Sequence, residues 1–115
     1  MNIEEYREYC LSKKEVIEEL PFGPDTLVFK VKGKIFALTS LETFESINLK
    51  CDPEEAVALR EKYEAVIPGY HMNKKHWNTI IMDGSLSDKL IKQWIDDSYK
   101  LVINALTKKE KEELQ

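Results

Sequence analysis

The stretch from residue 70 to residue 79 contains side chains that could bind a charged partner. No aspartate or glutamate occurs between Glu64 and Asp83, although the chain carries a net charge of −4. The stretch instead holds basic, aromatic and amide side chains, namely His71, Lys74, Lys75, His76, Trp77 and Asn78. Lysine neutralises phosphates, asparagine contacts phosphates or base edges, and tryptophan stacks on unpaired bases. These residues predict a nucleic-acid contact. The alternative is a loop of solvated lysines that leads into a buried Trp77.

A second basic group surrounds Gly33, where Lys30, Lys32 and Lys34 follow one another at every second position. A lysine-rich hairpin tip could grip a nucleic-acid backbone like a wing. Lysines on an edge strand also prevent pairing with other chains, so a structural role is equally open. The net negative charge argues against a simple non-specific DNA binder, because phosphate neutralisation supplies most of the affinity of such proteins. Nucleic-acid binding therefore requires a local basic patch.

Catalytic, metal and cofactor motifs are not found in the sequence. It lacks a G-x-S-x-G turn, a phosphate-binding glycine loop and an H-E-x-x-H helix. His71 and His76 supply two ligands where zinc requires three or four, and Cys10 and Cys51 form no C-x-x-C pair. Cys51 precedes a predicted helix, a position that can lower a thiol pKa. We expect no catalytic residue, no metal, no cofactor and no disulfide.

Length and composition predict one globular domain over residues 1–115. The chain is 43% apolar and 33% charged, which is ordinary for a folded domain. No apolar run approaches the roughly 18 residues that a membrane span requires. The first residues are acidic and contain no secretory signal core. We therefore expect a cytoplasmic protein without a membrane partner.

The order of elements predicts an α+β fold. Helical spacing indicates helices over residues 3–13 and 86–106, and Asp52 followed by Pro53 begins another. Alternation indicates strands at 27–31, 34–39, about 44–50, 70–72 and 77–82, with a short segment at 16–20 before the first. Ser98 lies near the buried stripe of the last helix and could bond back to a carbonyl one turn earlier. The tail after residue 107 is expected to fray. The prediction is a two-layer sandwich of order α-β-β-β-α-β-β-α, an antiparallel sheet with helices on one face.

Several segments of the chain resemble the MmcQ/YjbR family. They are P-F-G at 21–23, F-K-V-K-G-K-I-F-A at 29–37, L-K-C-D-P-E at 49–54, P-G-Y-H-M-N-K-K-H-W-N-T at 68–79, and S-Y at 98–99. The resemblance spans nearly the whole chain in one order. It implies the same arrangement of helices and strands, similar to the secretion-chaperone-like and frataxin-like folds. It also implies a DNA-binding label for a winged surface, without established catalytic residues.

Two functions are compatible with these observations. The first is a non-enzymatic nucleic-acid-binding module, with DNA favoured over RNA, that uses the loops around residues 30–34 and 71–78. The second is a protein-interaction or chaperone-like adaptor without nucleic-acid activity. Nucleic acid is favoured if Lys30, Lys34, Lys74 and Lys75 cluster in space. The adaptor is favoured if these lysines are scattered among Glu42, Glu45 and Glu64.

Overall fold

Six strands and four helices make up the part of the chain that the computed structural model describes, residues 1–69 and 72–114. The helices are α1 (Ile3–Leu11), α2 (Pro53–Lys62), α3 (Asp88–Asn104) and α4 (Lys108–Glu113). The strands are β1 (Val16–Glu19), β2 (Thr26–Val31), β3 (Lys34–Ser40), β4 (Ser46–Lys50), β5 (Val66–Pro68) and β6 (Trp77–Ile81). They form one antiparallel sheet of order β1-β2-β3-β4-β6-β5. Within these residues no helix is long and apolar enough to cross a membrane.

The main core lies between one face of the sheet and the helices, so the predicted α+β sandwich with helices on one face is confirmed. From α3, Ile91, Ile95 and Val102 are buried at the spacing of one helical face. They pack with alternate residues of the central strands, such as Phe29 on β2 and Ile47 on β4. The opposite face, here called the open face, has a smaller apolar cluster of its own.

The short segment after α1 forms a strand at the edge of the sheet. Helix α1 ends at Leu11, and Glu15, in the turn that follows, adopts a φ of 57° that directs the chain into β1 beside β2. Glu18 of this strand faces α1, where its carboxylate accepts hydrogen bonds from the Arg7 guanidinium at 2.9 and 2.5 Å. Ile17 points the other way and is 53% exposed. The sheet therefore has four strands, not three, before α2.

Two further boundaries differ from the prediction. The fifth strand lies at Val66–Pro68 instead of 70–72, and residues 70 and 71 fall outside the described part of the chain. The tail was expected to fray, but it forms α4, because Thr107 and Glu110 build a reciprocal capping box at its start. Leu114 at its end is 7% exposed and joins the main core, which holds α4 against the domain.

Acid is expected to weaken the attachment of α1. The Arg7 guanidinium lowers the pKa of Glu18. Burial tends to raise the pKa of Asp96 on α3, but hydrogen bonds from Lys13 and Tyr9 outweigh burial and lower it. Because each folded-state pKa is below the unfolded value of about 4, both groups stabilise the fold above that pH. Their contribution is lost as pH falls through the lowered folded-state pKa values.

Urea unfolding at pH 7 and at pH 3 tests this expectation. Glu18→Gln should reduce the difference in unfolding free energy between the two pH values, because its side chain no longer titrates. Glu8→Gln, an exposed change on α1, is the control. An unchanged difference in the Glu18 variant would contradict the expectation.

Candidate nucleic-acid interface

The two ends of the sheet carry opposite charges. At one end β2 begins, β3 ends, β4 begins and β6 ends. Backbone hydrogen bonds link the turns at this end, for example from the Met82 N–H to the Glu45 carbonyl at 2.8 Å. The turns here span residues 20–25, 41–45, 63–65 and 82–87 and contain no lysine or arginine. Their charged residues are all acidic: Asp25, Glu42, Glu45, Glu64 and Asp83. We call this the acidic end.

At the opposite end β2 turns into β3, β4 ends and β6 begins, as the pairs Val31–Lys34 and Lys50–Trp77 establish. We call it the basic end because five lysines occur there: Lys32, Lys34, Lys50, Lys74 and Lys75. Both basic groups recognised in the sequence thus reach the same end of the sheet. They lie a full strand length away from Glu42, Glu45 and Glu64.

The first basic group is largely engaged in ion pairs. Lys32 and Gly33 have φ values of 49° and 78°, the backbone of a tight hairpin turn in which glycine adopts positive φ without strain. The Lys32 ammonium lies 3.5 Å from a carboxylate oxygen of Glu15 and 3.7 Å from one of Glu113. The Lys30 ammonium lies 3.0 Å from Glu19. Lys34, at the start of β3, is exposed.

Lys74 and Lys75 of the second basic group lie on a turn that is closed by hydrogen bonds. Lys74 and Lys75 are exposed, and neither forms an ion pair with another described residue. The Asn73 side-chain oxygen accepts from the Lys75 N–H at 2.9 Å, and the Asn73 carbonyl accepts from the His76 N–H at 3.2 Å. These bonds form a compact turn that presents both ammonium groups to solvent.

Arg60 of α2 holds this loop against the sheet. Its Nε donates to the Asn78 side-chain oxygen at 2.7 Å, and its terminal nitrogen donates to the carbonyls of Lys74 and Trp77. Sequence reasoning assigned Arg60 no role. The signal was its spacing, since Ala56, Arg60 and Tyr63 recur at intervals of four and three on the inward face of α2. An arginine on such a face requires acceptors inside the fold.

Gly69 lets the loop leave β5 directly beside β6. Its N–H donates to the Trp77 carbonyl at 2.9 Å. A Cβ at this position would lie 2.8 Å from both the Cβ and the carbonyl oxygen of Trp77. Only a residue without a side chain allows this close approach.

Two residues predicted to contact nucleic acid are buried, which corrects that part of the prediction. Trp77 is 8% exposed and packs with Val28 and Leu38 on the open face, so its ring is not free to stack on a base. Asn78 is 2% exposed on the helix-covered face, where it accepts from Arg60. His76 is half-buried, and its carbonyl accepts from the Cys51 N–H at 2.7 Å. His71 lies outside the described residues.

Both cysteines are free thiols. Burial raises the pKa of Cys10 far above its ordinary value. Cys51 was placed by its sequence at a position that can lower a thiol pKa, but burial followed by the charges of Glu55, Asp52 and Asp97 raises it to about 11. Among the described residues, no group of three or more histidine, cysteine or acidic side chains could hold a metal ion.

Comparison with known proteins places this geometry in a family. The YjbR family model matches residues 11–101. The uncharacterized protein YbdF of Escherichia coli O157:H7 is 42% identical over 96 residues, covering 83% of this chain and 79% of that protein. The uncharacterized protein YjbR of Escherichia coli K12 is 35% identical over 107 residues, covering 92% and 91%.

A solved structure shares the fold. The crystal structure of Deinococcus radiodurans protein DR2400, described by a DUF419 family domain, superimposes with a TM-score of 0.92 at 37% identity. The match covers 98% of this chain and 87% of that one. The chain therefore belongs to the YjbR family.

Proposed function

We propose that this protein binds nucleic acid, DNA in preference to RNA, through the basic end of its sheet. The observation that supports the proposal is the segregation of charge along the strands. Lys34, Lys50, Lys74 and Lys75 share one end, whereas the turns of the other end carry acids without a cation. A chain with a net charge of −4 can therefore present a cationic surface to a polyanion.

The lysines of the basic end differ in how readily they can contact a phosphate. Lys74 and Lys75 are exposed and project from a turn fixed by Arg60, so phosphates can reach them without breaking an ion pair. Lys30 and Lys32 must exchange a carboxylate for a phosphate, which lowers the net gain. Backbone contacts of this kind give affinity without reading sequence.

Replacing Lys74 and Lys75 together with alanine is expected to reduce the salt dependence of binding. Each phosphate contact contributes about 0.9 to the slope of log affinity against log salt on B-DNA. The double variant should therefore lower the slope by up to ~2 and weaken binding to all sequences alike. Fluorescence anisotropy with a mixed-sequence duplex between about 50 and 200 mM salt measures this slope.

A matched control removes two lysines from the region of the acidic end. Lys62 lies in the last turn of α2 and Lys89 in the first turn of α3, and both are exposed. Their double alanine variant changes the net charge equally but should leave the slope unchanged. An equal loss in both double variants, or no salt-sensitive binding by the wild type to duplex or single strand, would reject the proposal.

A specific observation favours the alternative, a protein-interaction module. The open face holds a groove of about 580 Å³ that includes Phe22, 69% exposed, and Ile67, 36% exposed. The residues that line the groove are uncharged, and the groove reaches Ser40 and Ser46 beside the acidic end. An amphipathic segment could place its apolar side chains in the groove and its basic side chains near the carboxylates of the acidic end. Binding of such a peptide would be weakened by Phe22→Ser and left intact by the Lys74 and Lys75 changes. That pair of results would favour the adaptor over nucleic acid.

A further inference from the structure

A second cavity, of about 310 Å³, lies on the other face of the sheet between α2 and α3. Its volume is within the range of small-molecule sites. Glu55 and Leu59 line it from one face of α2, and Trp94, Asp97 and Leu101 line it from one face of α3. The floor comes from the sheet and consists of Leu49, Val66, Asn78 and Ile80. We call this cavity the helix cleft.

Hydrogen bonds fix to the sheet both helices that form the walls of the helix cleft. Arg60 bonds Asn78 and ties α2 to β6. On the other side, the Ser98 hydroxyl of α3 donates to the Phe36 carbonyl at 2.5 Å and accepts from the Lys50 N–H at 2.9 Å. Because these buried and part-buried bonds fix each helix to the sheet, the cleft is a built feature of the fold.

One end of the helix cleft is apolar. The rings of Tyr63, at the end of α2, and Trp94 meet edge to face with centroids 5.4 Å apart. Leu59, Val66 and Ile80 surround this end, and the two sheet residues are 2% and 1% exposed. An apolar group that enters here gains contact on several sides.

The mouth of the helix cleft is charged. Asp52, Glu55 and Asp97 line it, against Lys50 and Lys100. The lysine ammonium groups are carried on long flexible stems that can turn toward solvent, whereas the carboxylates stay near the rim. Cys51 is half-buried at the mouth, and burial is the main cause that raises its pKa, with smaller contributions from the carboxylates of Glu55, Asp52 and Asp97.

We propose that the helix cleft binds a small organic cation that consists of an apolar body and an ammonium head. The body occupies the apolar end, and the ammonium lies among the carboxylates of Asp52, Glu55 and Asp97. The cavity has roughly the volume of ten liquid waters, which limits the ligand to a compact molecule. The helix cleft shares Lys50 with the proposed nucleic-acid interface, but Lys74 and Lys75 do not line it. The variants that test the two proposals are therefore different, and either proposal can fail alone.

Three probes of nearly equal shape test the charge preference: 2-phenylethylamine, 2-phenylethanol and phenylacetate. Alkylation of Cys51 reports on the mouth, because Cys10 is 0% exposed. Backbone amide shifts on α2, α3, β4 and β6 locate the site independently. We expect the amine to protect Cys51 saturably and to bind about three- to tenfold more tightly than the alcohol, with the acid weakest.

Glu55→Gln identifies the charge responsible. It should lower the affinity for the amine about three- to tenfold and leave the affinity for the alcohol unchanged. Glu54→Gln is the matched control, an exposed charge on the same turn of α2 that does not line the cleft. Equal losses in both variants, equal protection by phenylacetate, or no saturable protection at millimolar amine would overturn the proposal.

Discussion

Replacing Trp94 with alanine is expected to lower the free energy of unfolding by about 3–5 kcal/mol. The indole is 8% exposed, belongs to the main core and packs against the ring of Tyr63. Removing it deletes these contacts and enlarges the adjoining helix cleft, which the rigid sheet cannot refill. Chemical denaturation monitored by circular dichroism measures the loss.

Two further variants check the cause of this loss. Gln93→Ala changes an exposed neighbour on α3 and should stay within about 0.5 kcal/mol of wild type. Trp94→Phe keeps an aromatic ring and should recover part of the stability. A change below about 1 kcal/mol in Trp94→Ala would show that α3 does not depend on this side chain for its packing.

Ser98→Ala should cost about 2–5 kcal/mol, a large effect for the removal of a single oxygen atom. Ser98 is 0% exposed, and its hydroxyl bridges Lys50 N–H on β4 and the Phe36 carbonyl on β3. The β3–β4 pairs run from Thr39–Ile47 to Ala37–Leu49, so the hydroxyl continues the link between the strands beyond the paired residues. Without it, the part-buried Lys50 N–H and the buried Phe36 carbonyl lose their partner, at about 1–3 kcal/mol each.

Amide hydrogen exchange separates this cause from a general loss of packing. Relative to wild type, Ser98→Ala should accelerate the exchange of the Lys50 N–H more than the exchange of the β2 amides. Ser12→Ala, which removes an exposed hydroxyl bonded to the Tyr9 carbonyl, serves as the control and should change little. Near-wild-type stability in Ser98→Ala would mean that β3 and β4 close together and bond directly.

The elements with strong local signals were predictable. The alternation at residues 27–31, 34–39 and 77–82 and the apolar face of the last helix correspond to β2, β3, β6 and α3. Asp52 caps α2 as its sequence indicates, accepting from the N–H groups of Glu54 and Glu55. These features depend on residues that are close together along the chain, so they can be predicted from a single sequence.

The remaining elements depend on contacts that are distant in the chain. β1 has only Val16 and Ile17 as apolar residues, and its inward Glu18 is tolerated because Arg7 pairs with it. α4 is stable because Leu114 reaches the core, and a charged tail gives no sign of this. Ser98 bonds to β3 and β4 rather than one turn back in α3, because the strands approach it closely.

The charged residues of the candidate interface were predictable, but which of their side chains are free to contact a partner was not. Lys74 and Lys75 are exposed, and no acid lies near them in the sequence to form an ion pair. Lys32 is paired with Glu15 and Glu113, which approach it only in the folded chain. Alternation predicted two faces for β6, yet it could not predict that Met72 and Leu38 pack with Trp77 on the open face.

The opposite charges of the two ends give the molecule an electric dipole along its strands. The seven residues of β3 span about 20 Å, whereas the Debye length is about 8 Å at physiological ionic strength and about 30 Å in 0.01 M salt. In dilute salt a distant polyanion is repelled by the net charge of −4. At physiological ionic strength the ends are screened from one another, and a polyanion close to the basic end is shielded from the carboxylates of the acidic end. If the protein binds a polyanion as proposed, the dipole favours encounters in which the basic end faces the polyanion and the acidic end points away.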